Sequence, residues 1–499
     1  MKHRAADPIA PRDVAPEADA SARLRDDLAA ILKRVGDPME GADGLVLVED
    51  EIAFRFTAST LLPGRDRWAY CAQHGRWYRY DSPTWREDST LALFDQVRVF
   101  IREHAQAALD SLEGPAQSAA RRDAKSVRTA RVVAGVERLL RADREHAVQA
   151  SQLDADPMLL ATPAGVVDLE SGTLRPGSPD DYLTKQTRVA PGGECPTWLR
   201  FLDDVTDGDG ELVDYLQRVA GYCLTGLTTE HALLFLWGTG ANGKSTFLRV
   251  LLYVLGDYAV TAPAETFLEA HGDRHPTELA MLSGPRLVVA QEIDDGRQWA
   301  LSRIKTLTGG DPIRARFMRG DFFEFQPVFK LVLAANHRPG LRNVDEAMRR
   351  RLRLVPFTVT IPPERRDPLL FDALIAEAEG VLSWAIEGCL AWQREGLNAP
   401  PGVLTATDDY LDAEDSFASW LSERTARGPG DAGSADLYAD YSKWAEGMGE
   451  RPVSHKRFTR ALEDHGIRRS RERGGTRFHG IRLVDLTDAP AAQPARGVR

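Results

Sequence analysis

The most specific chemistry in the chain lies in Gly238-Thr239-Gly240-Ala241-Asn242-Gly243-Lys244-Ser245. The spelling is G-x-x-x-x-G-K-[ST], with the apolar run ALLFLW before it and a helix-like stretch from Thr246 after it. Gly238, Gly240 and Gly243 allow the backbone to turn so that successive N–H groups around Asn242 point inward at phosphate oxygens, and the N-terminus of the following helix adds its positive end. Lys244 is placed to reach β- and γ-phosphates, and Ser245, with Thr246 beside it, offers a hydroxyl to Mg²⁺. The stretch predicts binding of a nucleoside triphosphate with Mg²⁺.

A triphosphatase also needs a carboxylate near the end of a neighbouring strand. Arg286-Leu287-Val288-Val289-Ala290-Gln291-Glu292 supplies one: a buried-type run ending in Glu292, the first choice for metal and water, with Asp294 and Asp295 beyond it. A third run, Phe329–Ala335, ends in Asn336, whose amide can position water and sense the γ-phosphate. Then comes Arg349-Arg350-Arg351. Three consecutive arginines on a helix project in different directions, so one of them, Arg350 or Arg351, is the candidate to reach a neighbouring subunit's triphosphate. The plainer alternative is surface salt bridging.

These residues need a scaffold. Leu233–Trp237, Leu287–Ala290 and Phe329–Ala335 alternate with helical stretches, the rhythm of an α/β core with a parallel sheet. Upstream, a helix at Ala22–Val35 and short aromatic strands in Arg67–Tyr80 predict a small α+β unit. There Trp68, Trp77, Tyr78 and Tyr80 read either as strand core or as a base-stacking surface. A charged helical stretch, Gln106–Arg144, and hairpin signals in Leu159–Thr184 follow. Downstream, Pro368–Arg394 and Thr405–Glu423 read as amphipathic helices. After a linker at Gly428–Ser434, the order helix, helix, hairpin is that of a winged-helix module.

The series GTGANGKSTF, VVAQEIDDG, IKTLTGGDPIRARF, FKLVLAANHRP and DEAMRRRLRLVPF resembles the superfamily 3 helicase domain of the phage/plasmid primase-helicase family, whose members also resemble the poxvirus replicative helicase. The likeness extends to AGVVDL at Ala164–Leu169, to Cys195-Pro196-Thr197-Trp198, and to Ser383-Trp384-Ala385 and Glu395-Gly396-Leu397, covering roughly residues 150 to 485. The resemblance implies an AAA+-like P-loop ATPase, with ATP as the triphosphate, that assembles as a ring, usually a hexamer, and moves 3′ to 5′ on single-stranded or forked DNA. It implies roles for Lys244, Ser245, Glu292, Asn336 and Arg350 or Arg351 as phosphate, metal, acid, sensor and finger residues. Lys305 to Phe325 matches the family's channel hairpin, making Lys305, Arg314, Arg316 and Arg319 candidate DNA contacts. Two departures are visible: Gln291-Glu292-Ile293 stands where some members have adjacent acids, and Ala164 where Asn is common.

The expected organisation is a disordered tail over 1–20, the α+β unit over 21–110, a helical/β accessory region over 111–200, and the ATPase over 201–395. A helical connector over 396–430, a winged-helix-like module over 431–485 and a second tail over 486–499 complete it.

Composition narrows the alternatives. With 63 Lys+Arg against 74 Asp+Glu, the 499-residue chain is not a uniformly basic coat for nucleic acid. Basic character is local: twelve Lys/Arg against five Asp/Glu over Arg303–Phe357, and ten against three over Arg451–Arg482. The second island contains Arg468, Arg469, Arg471 and Arg473, further candidates for phosphate contact. Cys71, Cys195, Cys223 and Cys389 stand singly, as inert thiols in a reducing cytoplasm would. No stretch is apolar enough to span a bilayer, so a soluble protein without a membrane partner is expected. Three readings compete with a ring helicase for phage or plasmid replication. A primase-helicase would also polymerise primers, but the N-terminal part shows no D-x-D on a strand, which points to a primase or polymerase on another chain. A nucleotide-gated initiator or assembly protein would bind without processive unwinding. A small-molecule kinase would have no need of the arginine cluster.

Overall fold

The computed structural model describes residues 48–110, 113–269, 277–294, 297–318, 320–341, 345–413, 416–448, 452–472 and 475–484. The expected helix at Ala22–Val35 and residues Asp295, Arg319 and Arg473 lie outside this set. The chain divides into two compact units, one running to Val167 with Leu174–Gln186, the other comprising Asp168–Thr173 and everything from Thr187. Among the described residues no helix is long and apolar enough to cross a membrane.

The first unit contains α1 (Glu49–Thr60), β1 (Trp68–Cys71), β2 (Arg76–Asp81), β3 (Thr84–Glu87), α2 (Ala92–Asp110), α3 (Gly114–Val127), α4 (Ala130–Leu140) and β4 (Ala147–Val148). The strands form one sheet in the order β3-β2-β1-β4. Helix α2 starts where it does because the Asp88 carboxylate accepts from the N–H groups of Ala92 and Leu93, both at 3.0 Å. Ile52, Phe56, Val97, Ile101 and Val136 pack with Trp68 and Trp77 on one side of the sheet, while Cys71, Tyr78 and Trp85 form a second cluster. Trp68, Trp77 and Tyr78 are therefore core. Trp68 and Trp77 also donate to Gln96 at 3.0 Å and to Glu137 at 2.6 Å, which satisfies their indole N–H groups inside the fold and removes them from a base-stacking surface. Hairpin strands β5 (Leu159–Thr162), β6 (Gly165–Asp168) and β7 (Thr173–Arg175) follow, as the turn signals required.

In the second unit, α5 (Pro196–Thr206) and α6 (Gly210–Leu224) lead into β8 (Leu233–Trp237), α7 (Lys244–Leu255), β9 (Ala259–Thr261), α8 (Thr277–Ala280) and β10 (Leu287–Gln291). Next come α9 (Leu301–Thr308), the hairpin β11 (Ile313–Ala315) and β12 (Phe323–Phe325), β13 (Lys330–Ala335), α10 (Glu346–Arg351) and β14 (Leu352–Pro356). Five strands form a sheet in the order β14-β8-β13-β10-β9, and every pairing is parallel. Strand β13 is buried at all its positions, and β8 and β10 at all but the last. Continuous apolar runs are what a parallel sheet covered on both faces demands.

Helices α11 (Leu370–Ala376) and α12 (Ala378–Glu395) follow. Helices α6 and α12 cross at two glycines: a Cβ on Gly221 would lie 2.0 Å from the Cys389 nitrogen, and one on Gly388 would lie 2.1 Å from the Gln217 carbonyl oxygen. Helix α13 (Pro401–Ala413) packs on β14, where the Leu354 N–H donates to Thr407 Oγ1 at 2.9 Å.

The C-terminal part contains α14 (Ser416–Arg424), β15 (Thr425–Gly433), α15 (Ser434–Gly447), α16 (His455–Asp464), β16 (Arg468–Glu472) and β17 (Gly475–Leu483). Helix, helix and hairpin stand in the expected order, but the expected linker at Gly428–Ser434 is mostly strand. Strand β15 pairs antiparallel with β17, with a register shift between Arg427 and Asp431. Gly428 and Gly430 lie at that shift, so glycines that read as a linker instead accommodate a bulge.

Candidate functional site

In a parallel sheet the side chains that follow the strands gather at one edge, the carboxyl ends. Strand β13 lies between β8 and β10, with Ala335 opposite Trp237 and Ala334 opposite Gln291. The loop after β8, Asn336 after β13 and Glu292 after β10 are therefore neighbours. Together they line a cleft of about 350 Å³ with Lys244, Ser245, Glu292, Asp294, Asn336 and His337 around it.

The loop from Gly238 to Gly243 turns through Gly240 (φ 109°), Ala241 (φ 52°) and Gly243 (φ 81°) and delivers the chain into α7 at Lys244. Gly243 admits no side chain: a Cβ there would lie 2.4 Å from Val205 Cγ1 and in a backbone region that L-residues avoid. Gly238 is equally constrained, because a Cβ would sit 2.1 Å from Asn242 Nδ2 and 2.2 Å from the Phe357 carbonyl oxygen. Ser245 and Thr246 occupy the first turn of α7, Ser245 exposed and Thr246 half-buried.

Lys244 is 4% exposed. Its Nζ donates to Asn242 Oδ1 at 2.7 Å, to the Gly238 carbonyl at 2.9 Å and to Asn336 Oδ1 at 3.2 Å. Burial pulls its pKa down to about 8. The lysine and the strand-end asparagine, 92 positions apart, thus meet directly. The Asn242 side chain does not face the cleft as a free ligand, since both ends of its amide are committed within the chain, to Lys244 and to the Phe357 carbonyl at 2.9 Å.

Glu292 is the residue at which β10 breaks off. Its φ of 62° is left-handed, a conformation costing roughly 1–3 kcal/mol for a non-glycine residue and concentrated at functional sites. The turn leaves its carboxylate exposed at the cleft wall while Ile293 returns to the core. Ser245, Glu292 and Asp294 present the hard oxygen donors that Mg²⁺ prefers. Among the described residues there is no group of three or more His, Cys, Asp or Glu side chains placed to hold a metal, so a magnesium ion here would draw on one or two side chains and on phosphate oxygens. His337 was not singled out from the sequence; its position one residue past the sensor candidate at a strand end is the signal that would have found it.

The arginines of α10 separate as the helix geometry requires. Arg349 is bound to Asp412 at 2.9 Å, Arg351 donates back to the Ala347 carbonyl at 2.9 Å, and Arg350 is exposed. Lys305, expected at the DNA hairpin, sits on α9 and is paired with Asp345, the N-cap of α10, so it is not a free cation. The β11–β12 hairpin carries Arg314 and Arg316, whose guanidinium carbons lie 4.6 and 4.9 Å from the Phe322 ring centre. Phe317, Met318 and Phe322 at its tip are 54%, 73% and 49% exposed. In the C-terminal sheet, Arg468 and Arg471 are exposed, while Arg469 is drawn to Glu463 at 3.2 Å.

Residues 55–207 match the family model described as D5 N terminal like, and residues 236–351 match a family of unknown function, DUF5906. The chain is 30% identical over 212 residues to "Putative helicase L207/L206" of Acanthamoeba polyphaga mimivirus, a match covering 41% of this chain and 22% of that protein. It is 24% identical over 378 residues to "Putative helicase 022R" of Frog virus 3, covering 58% of this chain and 39% of the viral protein. The chain thus spans less than half the length of these relatives. Among solved structures, the apo A form of the NrS-1 C-terminal region aligns with a TM-score of 0.48 at 9% identity, covering 85% of this chain and 98% of that one. Fold and site define a mixed α/β protein whose polar cleft lies at the carboxyl edge of a parallel sheet. By its D5-type segment and its viral relatives, the chain is similar to the phage and viral primase-helicase family.

Proposed function

We propose that this chain is the ATP-driven motor of a replication helicase, a P-loop ATPase of the AAA+-like superfamily 3 type working as a ring on single-stranded and forked DNA. The observation that carries the reading is the meeting of Lys244, Asn336 and Glu292 around one cleft, from three segments of sequence that each follow a strand of the same sheet. In this reading the loop N–H groups and the N-terminus of α7 bind the phosphates of ATP, and Lys244 exchanges its three internal acceptors for phosphate oxygens. Ser245 and Glu292 would hold Mg²⁺, which supplies charge neutralisation on the transferred group. Glu292 orients the attacking water, and Asn336, already in contact with Lys244, reports the γ-phosphate.

Arg350 is the exposed member of the α10 trio and is assigned here as the finger that reaches the neighbouring subunit's nucleotide; Arg351 is held by its own helix. The hairpin tip with Arg314 and Arg316 contacts DNA in the ring's channel, and the C-terminal part, with Arg468 and Arg471, acts as a winged-helix DNA-binding module. The protein works in the host cytoplasm beside a separate primase or polymerase.

The test is ATP hydrolysis with and without single-stranded DNA, together with strand displacement, for the parent, Lys244→Ala and Arg350→Ala. Both variants should be inactive alone and regain turnover when mixed, because a mixed ring contains seams with an intact loop on one side and an intact arginine on the other. ATP hydrolysis without strand displacement would favour a nucleotide-gated initiator instead. Full DNA-independent activity in a monomer would end the proposal.

A further inference from the structure

We propose that Asn242 is a positioning residue and not a nucleotide ligand: clamped to the Phe357 carbonyl, its amide holds the Lys244 ammonium against the loop until a phosphate takes it over. The inference rests on the function proposed above and concerns the same cleft.

The geometry fixes the amide's orientation. A main-chain carbonyl can only accept and an ammonium can only donate, so the group facing Phe357 is the NH₂ and the group facing Lys244 is the oxygen. Asn242 is 3% exposed, and both contacts are short, 2.9 Å to Phe357 and 2.7 Å from Lys244. Burial at this level leaves no room for the side chain to swing toward a ligand without abandoning two hydrogen bonds, one of them to a charged group. Gly238 completes the arrangement, since any side chain there would occupy the space of the Asn242 amide and the Phe357 carbonyl.

The clamp is tied to the sheet on both sides. Phe357 follows the last residue of β14, and its N–H donates to the Trp237 carbonyl at 2.7 Å, the last residue of β8. A second tie runs from the Ile361 N–H to the Ala241 carbonyl at 2.8 Å. The loop is therefore braced against the segment that leaves β14. Asn242 is the one residue of the loop whose side chain touches both the brace and the lysine.

An aspartate at this position would turn the Lys244 contact into an ion pair while giving up the donor to the Phe357 carbonyl. An alanine would remove the acceptor. The two substitutions must then move the lysine in opposite directions, which a residue with a merely structural role would not do. The experiment is modification of Lys244 in the full chain by an amine-reactive reagent at pH 8, without nucleotide, followed by peptide mass spectrometry. Because Lys244 is 4% exposed and is held by Asn242, Gly238 and Asn336, its labelling reports how firmly the loop keeps the ammonium in place. Labelling should slow several-fold in Asn242→Asp and quicken several-fold in Asn242→Ala, with Asn242→Ser standing in if the alanine variant does not fold. Equal rates in all variants, or shifts of the same sign, would overturn the inference. Protection of Lys244 by ATP in the parent is scored separately. Its absence would sink the proposed function and leave the opposite shifts as they were found.

Discussion

The two ends of strand β13 each meet a buried lysine, and the two lysines are built for different ends. Lys330, the first residue of the strand, sits at the amino edge of the sheet and is fully enclosed. Its Nζ donates to the main-chain carbonyls of Thr225, Leu227 and Val328 and lies 4.9 Å from the Tyr222 ring centre. Lys244 meets the other end of the strand, at the carboxyl edge, where two of its three acceptors are side-chain amides. Burial depresses both ammonium groups, Lys330 to about 7, helped by Arg286, and Lys244 to about 8. Depressed basicity alone does not separate a working cation from a structural one. The acceptors do: main-chain carbonyls fixed in the fold cannot leave, whereas side-chain amides beside an open cleft can release their partner to a ligand.

Substitution should split the two lysines cleanly. The largest effect is expected for Lys244→Ala, a fall in ATP turnover of roughly 10²–10³-fold, the scale seen when one preorganised donor is removed, with the melting temperature almost unchanged. Turnover within a factor of two of the parent would break the comparison. Lys330→Ala should do the reverse: it leaves the carbonyls of Thr225, Leu227 and Val328 without their donor and opens a cavity, at a cost of about 3 kcal/mol, read as a drop in denaturant midpoint while the ATP affinity of the folded fraction holds.

The pH dependence of stability sharpens the contrast. For Lys330 the folded value of about 7 lies below the usual lysine value of 10.5, so between these the unfolded chain binds the extra proton and stability rises with pH. The burial penalty is fully present below pH 7. Thermal melts should show a rise between pH 7 and 8 that Lys330→Met flattens; above pH 8 Lys244 adds its own rise. Nucleotide should act oppositely on Lys244. Phosphate beside the ammonium raises its pKa, so ATP binding takes up a proton near pH 8 and affinity weakens above it, which calorimetry in buffers of differing ionisation heat would detect. The smallest effect expected is that of Arg351→Ala on turnover, a few-fold at most against a near-complete loss for Arg350→Ala, because only Arg350 is turned outward.

Much of the sheet could be read in advance because buried parallel strands are written as unbroken apolar runs: Leu233–Trp237 coincides with β8, and Asn336 and Glu292 directly follow β13 and β10. Contacts between distant residues were not legible. Nothing near Lys305 announces Asp345, which captures it from 40 positions away, and nothing near Asn242 announces the Phe357 carbonyl 115 positions on. The bulged strand β15 was hidden by its composition, since Gly428 and Gly430 signal a linker and a register shift equally well. The aromatic residues of β1 and β2 were ambiguous for a different reason. Alternation places them on a face but does not say what covers it, and here α1, α2 and α4 cover Trp68 and Trp77.

The glycine crossing of α6 and α12 has a mechanical consequence. With Gly221 and Gly388 letting main chain press on main chain, no side chain lies between the two helices at that crossing to ease one past the other. The two helices are interlocked at that point, and one added methyl group at either glycine would act as a wedge that prises them apart.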